Sequence, residues 1–312
     1  MTDPLPTISV VCCTHNREDF ARRHFEAMRS HLGEDIELLY ALDNCTDSTR
    51  AKLEALAGSN SKVRVLSHQG ERGLFNCRNF GIANARGTYI HFLDDDDSVE
   101  PHFYAHACAG LRPAVHSGVD IYLSRLRVTT STEQSYEREV VPVEMVQRGM
   151  ALGDELHLKG DLFGPILQGR LYFNGANALF STALLQRYGY RSELKKSADW
   201  LFILEAALRQ PLHLAFNAQM VANYYVHSSS MSIRPDKAVW NARVFELLLA
   251  MAHLKPEWAD EIRRRCARAS FDAGYALRTG DRPKARSLYW RSFQLCARVQ
   301  PLLAMAKTFV NS

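Results

Sequence analysis

No stretch of this sequence is apolar for long enough to cross a bilayer as a helix. Spanning takes about 18–20 apolar residues, and the segment 246–253 holds a run of only six. Cysteine is sparse and irregular: there are seven, an odd number, two of them adjacent at Cys12-Cys13, and no C-x-x-C. This argues against a disulfide framework and against a zinc module; reduced thiols in a cytosolic protein are expected. The opening residues, Met1-Thr2-Asp3-Pro4-Leu5-Pro6, lack a basic start followed by an apolar core, so no secretory signal is expected. Glycine is absent where a phosphate-cradling loop would need it, in Thr14-His15-Asn16-Arg17-Glu18-Asp19 after the first apolar run.

What is present is the composition of a globular protein. The chain has 312 residues, 46% hydrophobic and 23% charged, which excludes wholesale disorder, a collagen-like repeat and a long coiled coil. That length suggests two domains, or one large domain with an appendage. The net charge of +4 is unevenly spread: from Trp240 onward there are 13 Lys and Arg against 6 Asp and Glu, whereas the residues before it hold 25 against 28. The C-terminal quarter is thus either a solvated basic helical face or a surface for anionic partners such as phospholipid headgroups. No nucleic-acid motif accompanies it, and nucleic-acid binding is not expected.

Along the first hundred residues short apolar runs alternate with helical spacing. Strands are expected at 8–13, 36–42, 63–66 and 88–93, and helices at 19–32, from Asp47-Ser48 to about Ala57, and at 74–85. Strands alternating with helices imply a parallel sheet with right-handed crossovers. Residues 119–123 and 125–141 read as strands of an antiparallel annex, and 145–176 as an irregular functional loop. A helix over 198–209 and strands near 212–216 and 219–226 follow. From about Val239 the pattern is helical, and 270–295 reads as one tetratricopeptide-type hairpin. A single pair cannot form a solenoid, so it is expected to cap the catalytic unit or a partner.

Three strand ends carry polar residues, Thr14-His15-Asn16-Arg17 ending the first. Asp94-Asp95-Asp96-Asp97 follows the fourth strand directly. Four adjacent carboxylates repel one another unless a cation neutralises them. Ligands of open α/β sheets bind beyond the carboxyl ends of strands, and Mg²⁺ is usually held by one or two carboxylates together with substrate phosphates. The run therefore reads as a metal–diphosphate site, against the plainer reading of a solvated acidic turn. Asp43 ends the second strand, where it either meets a base or ribose or simply turns the chain. Arg78 either pairs with phosphate or an acidic neighbour, or serves a structural ion pair.

Four motifs in order resemble the family 2 glycosyltransferases of GT-A fold. They are Thr14-His15-Asn16; Leu42-Asp43-Asn44-Cys45-Thr46-Asp47; Cys77-Arg78-Asn79-Phe80-Gly81; and Gly87-Thr88-Tyr89-Ile90-His91-Phe92-Leu93-Asp94-Asp95-Asp96-Asp97. Leu42 stands where the family has the first aspartate of a pair, and Asn44-Cys45 where it has Gly-Ser. A fainter similarity continues through Asn174–Phe180, Tyr188-Gly189-Tyr190, Ser197-Ala198-Asp199-Trp200 and His227–Ser232.

The resemblance implies an α/β fold: a GT-A, Rossmann-like mixed sheet flanked by helices, with a C-terminal helical extension. It implies a transferase domain over 1–237, with a nucleotide-binding half at 1–112 and an acceptor-side half at 113–237, and a helical region over 238–312. Thr14 and Asn16 would line the nucleotide pocket, Asp43 would read the base, and Arg78, Asp94 and Asp95 would lie at the diphosphate. Asp96 would ligate Mn²⁺ or Mg²⁺, with His227 as a further ligand. Asp199 would be the general base, although an aspartate there also suits a helix start. Trp200 either stacks on a sugar or belongs to the core.

The implied reaction is inverting transfer from a nucleotide-diphosphate sugar, expected to be UDP-linked, to a glycan or lipid-linked acceptor in cell-surface polysaccharide synthesis. The implied location is the cytoplasm, at the inner face of the membrane, with the C-terminal helices docking on anionic lipid or forming a homo-oligomer. A metal-dependent nucleotidyltransferase and a non-catalytic scaffold on the same fold are the alternatives.

Overall fold

The computed structural model describes residues 7–111, 118–228, 230, 236–251 and 254–310. Its first part alternates as expected: β1 (Ile8–Thr14), α1 (Glu18–Met28), β2 (Ile36–Asp43), α2 (Thr49–Ala57), β3 (Val63–His68), α3 (Leu74–Asn84) and β4 (Tyr89–Phe92). Every residue of β2 is buried, the mark of a parallel strand covered on both faces. Glu37 within it is tolerated because its carboxylate accepts hydrogen bonds from Ser9 Oγ, the Arg86 amide and Arg64 Nη1. Helix α1 buries Ala21, His24, Phe25 and Met28, one stripe at i, i+3, i+4 and i+7. It tightens into a 3-10 turn over Arg29–His31 rather than running regularly to residue 32. The Asp47 carboxylate accepts the Thr49 amide at 3.1 Å and opens α2.

The middle of the chain holds β5 (Ser98–Val99), α4 (Phe103–Gly110), β6 (Ile121–Thr130), β7 (Ser135–Arg138), α5 (Val143–Val146), β8 (Met150–Leu152), β9 (Glu155–Gly160) and α6 (Phe163–Leu167). After it come β10 (Ala178–Ser181), α7 (Thr182–Tyr188), α8 (Ala198–Arg209) and β11 (Leu212–Val226). Three expectations change here. The annex is not purely antiparallel, because β6 pairs with β11 in parallel. The two late strands are a single 15-residue strand with a register shift between Asn217 and Val221, a local irregularity that imitates a break in the sequence pattern. The stretch 145–176 is only partly irregular, since β8 and β9 pair antiparallel within it.

The sheet order is β3-β2-β1-β4-β10-β6-β11-β9-β8, with β5 on β11 and β7 on β6. β3, β2, β1 and β4 are mutually parallel. The chain builds outward from β1 to β3 and then returns to lay β4 on the other side of β1, which makes β1/β4 the switch point at which such sheets bind ligands.

The chain divides into two compact units, one of Met1–Ser192 and Phe202–His227, the other of Glu193–Leu201 and Ser228–Ser312. The second contains α9 (Lys237–Leu249), α10 (Pro256–Leu277), α11 (Arg282–Cys296) and α12 (Val299–Val310). The expected hairpin at 270–295 is the turn between α10 and α11, extended by most of α10 and by α12. Asp281 caps α11 by accepting the Lys284 amide at 3.1 Å, and Gly274 lets α10 meet Tyr289, whose ring a Cβ would approach at 2.9 Å. Trp200 packs edge-on against Phe245 in this unit, ring centroids 5.2 Å apart, as a core aromatic does. All seven cysteines are free thiols. Among the described residues no helix is long and apolar enough to cross a membrane.

Candidate active site

The switch point gathers most of the residues singled out in the first unit. Thr14 closes β1 and donates its hydroxyl to Asp95 Oδ2 at 2.6 Å. Arg17, one turn of chain later, straddles the acidic run: Nη1 is 2.7 Å from Asp95 Oδ1 and Nη2 is 2.9 Å from Asp96 Oδ2. Its guanidinium lies over the Phe20 ring, 4.0 Å from the centroid. His227, just past β11, donates from Nε2 to the same Asp96 oxygen at 2.8 Å and stacks on Phe20 at 6.2 Å. Arg78 on α3 donates from Nη2 to both oxygens of Asp94, at 3.0 and 3.2 Å. Asp97 accepts the Tyr225 amide of β11 at 3.0 Å.

Electrostatics explains why this arrangement holds. Burial pushes the Asp95 carboxyl up to about 7, even though Arg17 and Thr14 pull it down. Burial likewise raises Asp94, against the pull of Arg78, and drives Asp97 well above the usual carboxylate range. For Arg17, burial opposes its charge, but Asp95 and Asp96 outweigh it and strengthen its hold on the proton. The site therefore penalises carboxylate charge, a cost that its two arginines only partly offset. One oxygen each from Asp94, Asp96 and Asp97 lies within 4.8 Å of the others, an all-oxygen donor set suited to a hard divalent cation. These residues fit Mg²⁺ or Mn²⁺.

Asp43 and Asn16 sit at the neighbouring strand ends and are engaged differently. Asp43 is buried; its Oδ2 accepts the Gly73 amide at 3.0 Å and its Oδ1 is 3.3 Å from His68 Nδ1. His15 Nδ1 donates to the Asp43 carbonyl at 2.5 Å. Asn16, at φ 49°, accepts the Thr46 amide at 2.8 Å and donates to Thr46 Oγ1 at 3.1 Å, tying the loop after β1 to the loop after β2. Asp199 belongs to the second unit, at the start of α8, where its Oδ1 accepts the Trp200 amide at 2.9 Å. The residue after Lys196, Ser197, is left-handed at φ 61° and donates to Asn241 Oδ1 at 2.8 Å.

The second layer is made of neutral buried groups. His91 Nε2 donates to the Ala176 carbonyl and its Nδ1 accepts from Tyr104, both at 2.8 Å; burial lowers this imidazole to about 4. Asn174 and Asn177 exchange side-chain-to-backbone bonds at 2.8 and 3.0 Å. Between Ala176 and that turn, Gly175 comes so close that a Cβ would stand 2.7 Å from the Phe92 carbonyl and 2.9 Å from Arg78 Nη2.

Sequence reasoning missed Arg17 as a site residue, and with it His68 and Gly175; it included Asp97 in the acidic run without giving it a role of its own. Arg17 sits in the motif that ends β1, but its partners lie about eighty positions away; no local pattern announces that pairing.

Comparison with known proteins agrees with this picture. Residues 9–140 match the model of the glycosyl transferase family 2. The succinoglycan biosynthesis protein ExoO of Rhizobium meliloti is 32% identical over 99 residues, 32% of this chain and 28% of that protein. The GalNAc(5)-diNAcBac-PP-undecaprenol beta-1,3-glucosyltransferase of Campylobacter jejuni is 26% identical over 96 residues, 30% of this chain and 31% of that protein. The chain thus spans less than a third of the length of the curated relatives it matches. In three dimensions S. aureus TarS 1–349, solved with UDP-GlcNAc, superposes over 93% of this chain and 81% of its own, with a TM-score of 0.64 at 17% identity. The mannosyltransferase PcManGT of Pyrobaculum calidifontis, solved with GDP-Man and Mn²⁺, covers 98% of this chain and 80% of its own, with a TM-score of 0.58 at 14% identity. The resemblance read from the four motifs is borne out: residues 9–140 match the glycosyl transferase family 2, and the chain has the GT-A fold of these solved transferases.

Proposed function

We propose that the protein is an inverting glycosyltransferase that moves a sugar from a nucleotide-diphosphate donor, UDP-linked, to a hydroxyl of a glycan or lipid-linked acceptor in polysaccharide synthesis. The observation that carries this reading is the convergence of Thr14, Arg17, Arg78 and Asp94–Asp97 at the β1/β4 switch point. Matches to a succinoglycan biosynthesis protein and to transferase structures holding nucleotide sugars support the substrate class.

In this reading Asp94, Asp96 and Asp97 hold Mn²⁺ or Mg²⁺, with His227 as a further ligand through Asp96's side of the cluster. When bound, the cation supplies Lewis-acid stabilisation of the charge that builds on the leaving diphosphate. Arg78 and Asp94 orient the diphosphate side, and Arg17 fixes Asp95 and Asp96 against each other. Thr14, Asn16 and Asp43 form the nucleoside side, with Asp43 reading the base. Asp199 takes the proton of the acceptor hydroxyl as that oxygen forms its bond to the anomeric carbon. The glycosidic C–O bond to the diphosphate breaks on the opposite face, so the anomeric configuration inverts.

The second unit is proposed to dock at the cytoplasmic membrane face or to self-associate. Its basic excess is joined by exposed Tyr275, Trp290, Val299 and Leu303, and a juxtamembrane Lys or Arg contributes about 1 kcal/mol at an anionic surface. Flotation with anionic vesicles at low and high salt, beside light scattering of the protein alone, distinguishes the two.

The test of the central reading is product identity. The protein, given Mn²⁺ and a panel of nucleotide sugars, should release free nucleoside diphosphate. Release of pyrophosphate instead would make it a nucleotidyltransferase, and no turnover of any donor would support a scaffold.

A further inference from the structure

Below α3 the sheet brings together three donors of different chemistry. Asp43 and His68 are register partners at the ends of the parallel strands β2 and β3. Cys77 lies on α3, with Sγ 3.3 Å from the Ala41 carbonyl, two residues before Asp43 and so on the same face of β2. His68 turns Nδ1 toward Asp43 Oδ1 at 3.3 Å. One carboxylate oxygen, one imidazole nitrogen and the sulfur all lie within 4.8 Å of one another.

We propose that Asp43, His68 and Cys77 form a binding site for a borderline-soft divalent cation of the Zn²⁺ class, separate from the Asp94–Asp97 run. Zinc accepts O, N and S ligands, and three protein ligands with a fourth position open is a recurring zinc arrangement. A thiolate selects for such ions, whereas the all-carboxylate run selects hard ones. Bond lengths of roughly 2.0–2.3 Å place the ligands of a tetrahedral ion about 3.3–3.8 Å apart; Asp43 and His68 already meet that spacing, and the sulfur lies within 4.8 Å of both. On binding, the Cys77 S–H bond breaks, its proton passes to solvent, and the sulfur's pair forms the metal bond in place of the hydrogen bond to Ala41. Cys77 is fully buried, and the His68 and Asp43 side chains, 12% and 9% exposed, form the side of the cluster nearest solvent. Sequence analysis found no cysteine cluster because the donors come one each from three elements.

One consequence rests on the proposed role of Asp43 as base reader: the same carboxylate cannot serve ion and nucleotide at once, so a Zn²⁺-class ion would exclude the donor.

The probe is Co²⁺ alone, titrated into the full chain under a thiol-free reductant. The wild type should develop a thiolate-to-cobalt charge-transfer band that one equivalent of Zn²⁺ erases. Cys77→Ser should abolish the band and His68→Gln should weaken Co²⁺ binding at least tenfold. Asp96→Asn should keep the band. Absence of a band in the wild type, or its survival in Cys77→Ser, overturns the site. If Cys77→Ser does not fold, unchanged Co²⁺ affinity in His68→Gln overturns it instead. UDP with Mg²⁺ separates the two readings: loss of the band on adding nucleotide supports both. An undiminished band supports the cation site and counts against Asp43 as base reader.

Discussion

Asp95 shows how a single carboxyl reports on the state of the whole cleft. Its proton is held to about pH 7 because burial outweighs Arg17 and Thr14. A carboxyl raised in the folded state binds protons that the unfolded chain has released, so its share of stability is present at acid pH and declines as pH rises from about 4 to 7. On the proposed reading, a divalent cation held by the neighbouring aspartates would offset that penalty. Mn²⁺ is therefore expected to raise the melting temperature more at pH 8 than at pH 5, which scanning calorimetry at the two pH values will measure. Arg17→Ala should cost about 1–3 kcal/mol in urea unfolding, because it leaves a buried carboxyl without its cation, tempered by the partial exposure of the arginine. Asp199→Asn should lower kcat by about 10²–10⁴ while leaving UDP affinity unchanged; turnover near wild type would remove Asp199 as the base. These roles were unequally legible. Asp94–Asp97 stand out because four carboxylates in a row are costly, and Thr14 because it ends an apolar run. Arg17 does not, since its role depends on a partner 79 positions away.

At the scale of elements, what could be read was what is local. Period-3.6 spacing marks α1 and α3, and α8 falls on the residues expected of it. The fully buried β2 reads as a strand because its polar ends bound a short apolar run. The parallel pairing of β6 with β11 could not be read, because it joins residues about ninety positions apart and parallel strands leave no turn signature between them. The β8–β9 hairpin was hidden as well: β8 has three residues, all exposed, too few to show alternation. Long-range packing also sets a backbone position sensitive to any added side chain. Gly175 lies against the end of β4 and the Arg78 guanidinium. Gly175→Ala should cost about 1–3 kcal/mol through overpacking and weaken nucleotide binding by displacing Arg78. Both are measurable by chemical denaturation and by calorimetric titration of UDP.

For the molecule as a whole, acid sensitivity has an identifiable source in buried neutral imidazoles. His24 and His91 are each lowered to about 4, first by burial. Between that value and the ordinary 6.5 the unfolded chain binds the proton and the folded one does not, so each makes stability fall as pH falls through that window. The slope is at most about 1.4 kcal/mol per pH unit per group. His24→Gln, which keeps a partner for Tyr40, should flatten the stability–pH curve by up to one proton between pH 4 and 6.5 relative to wild type, read from urea midpoints across that range.

The tetra-aspartate looks redundant when written as letters, yet its members answer to four different addresses: Asp94 to a helix, Asp95 to the first strand, Asp96 to an arginine and a histidine, Asp97 to the backbone of the last strand. None can stand in for its neighbour. Removing one aspartate from the run would not trim a surplus charge but misdeliver every contact after the gap, and a length-conserving scan would yield four distinct defects rather than one graded series.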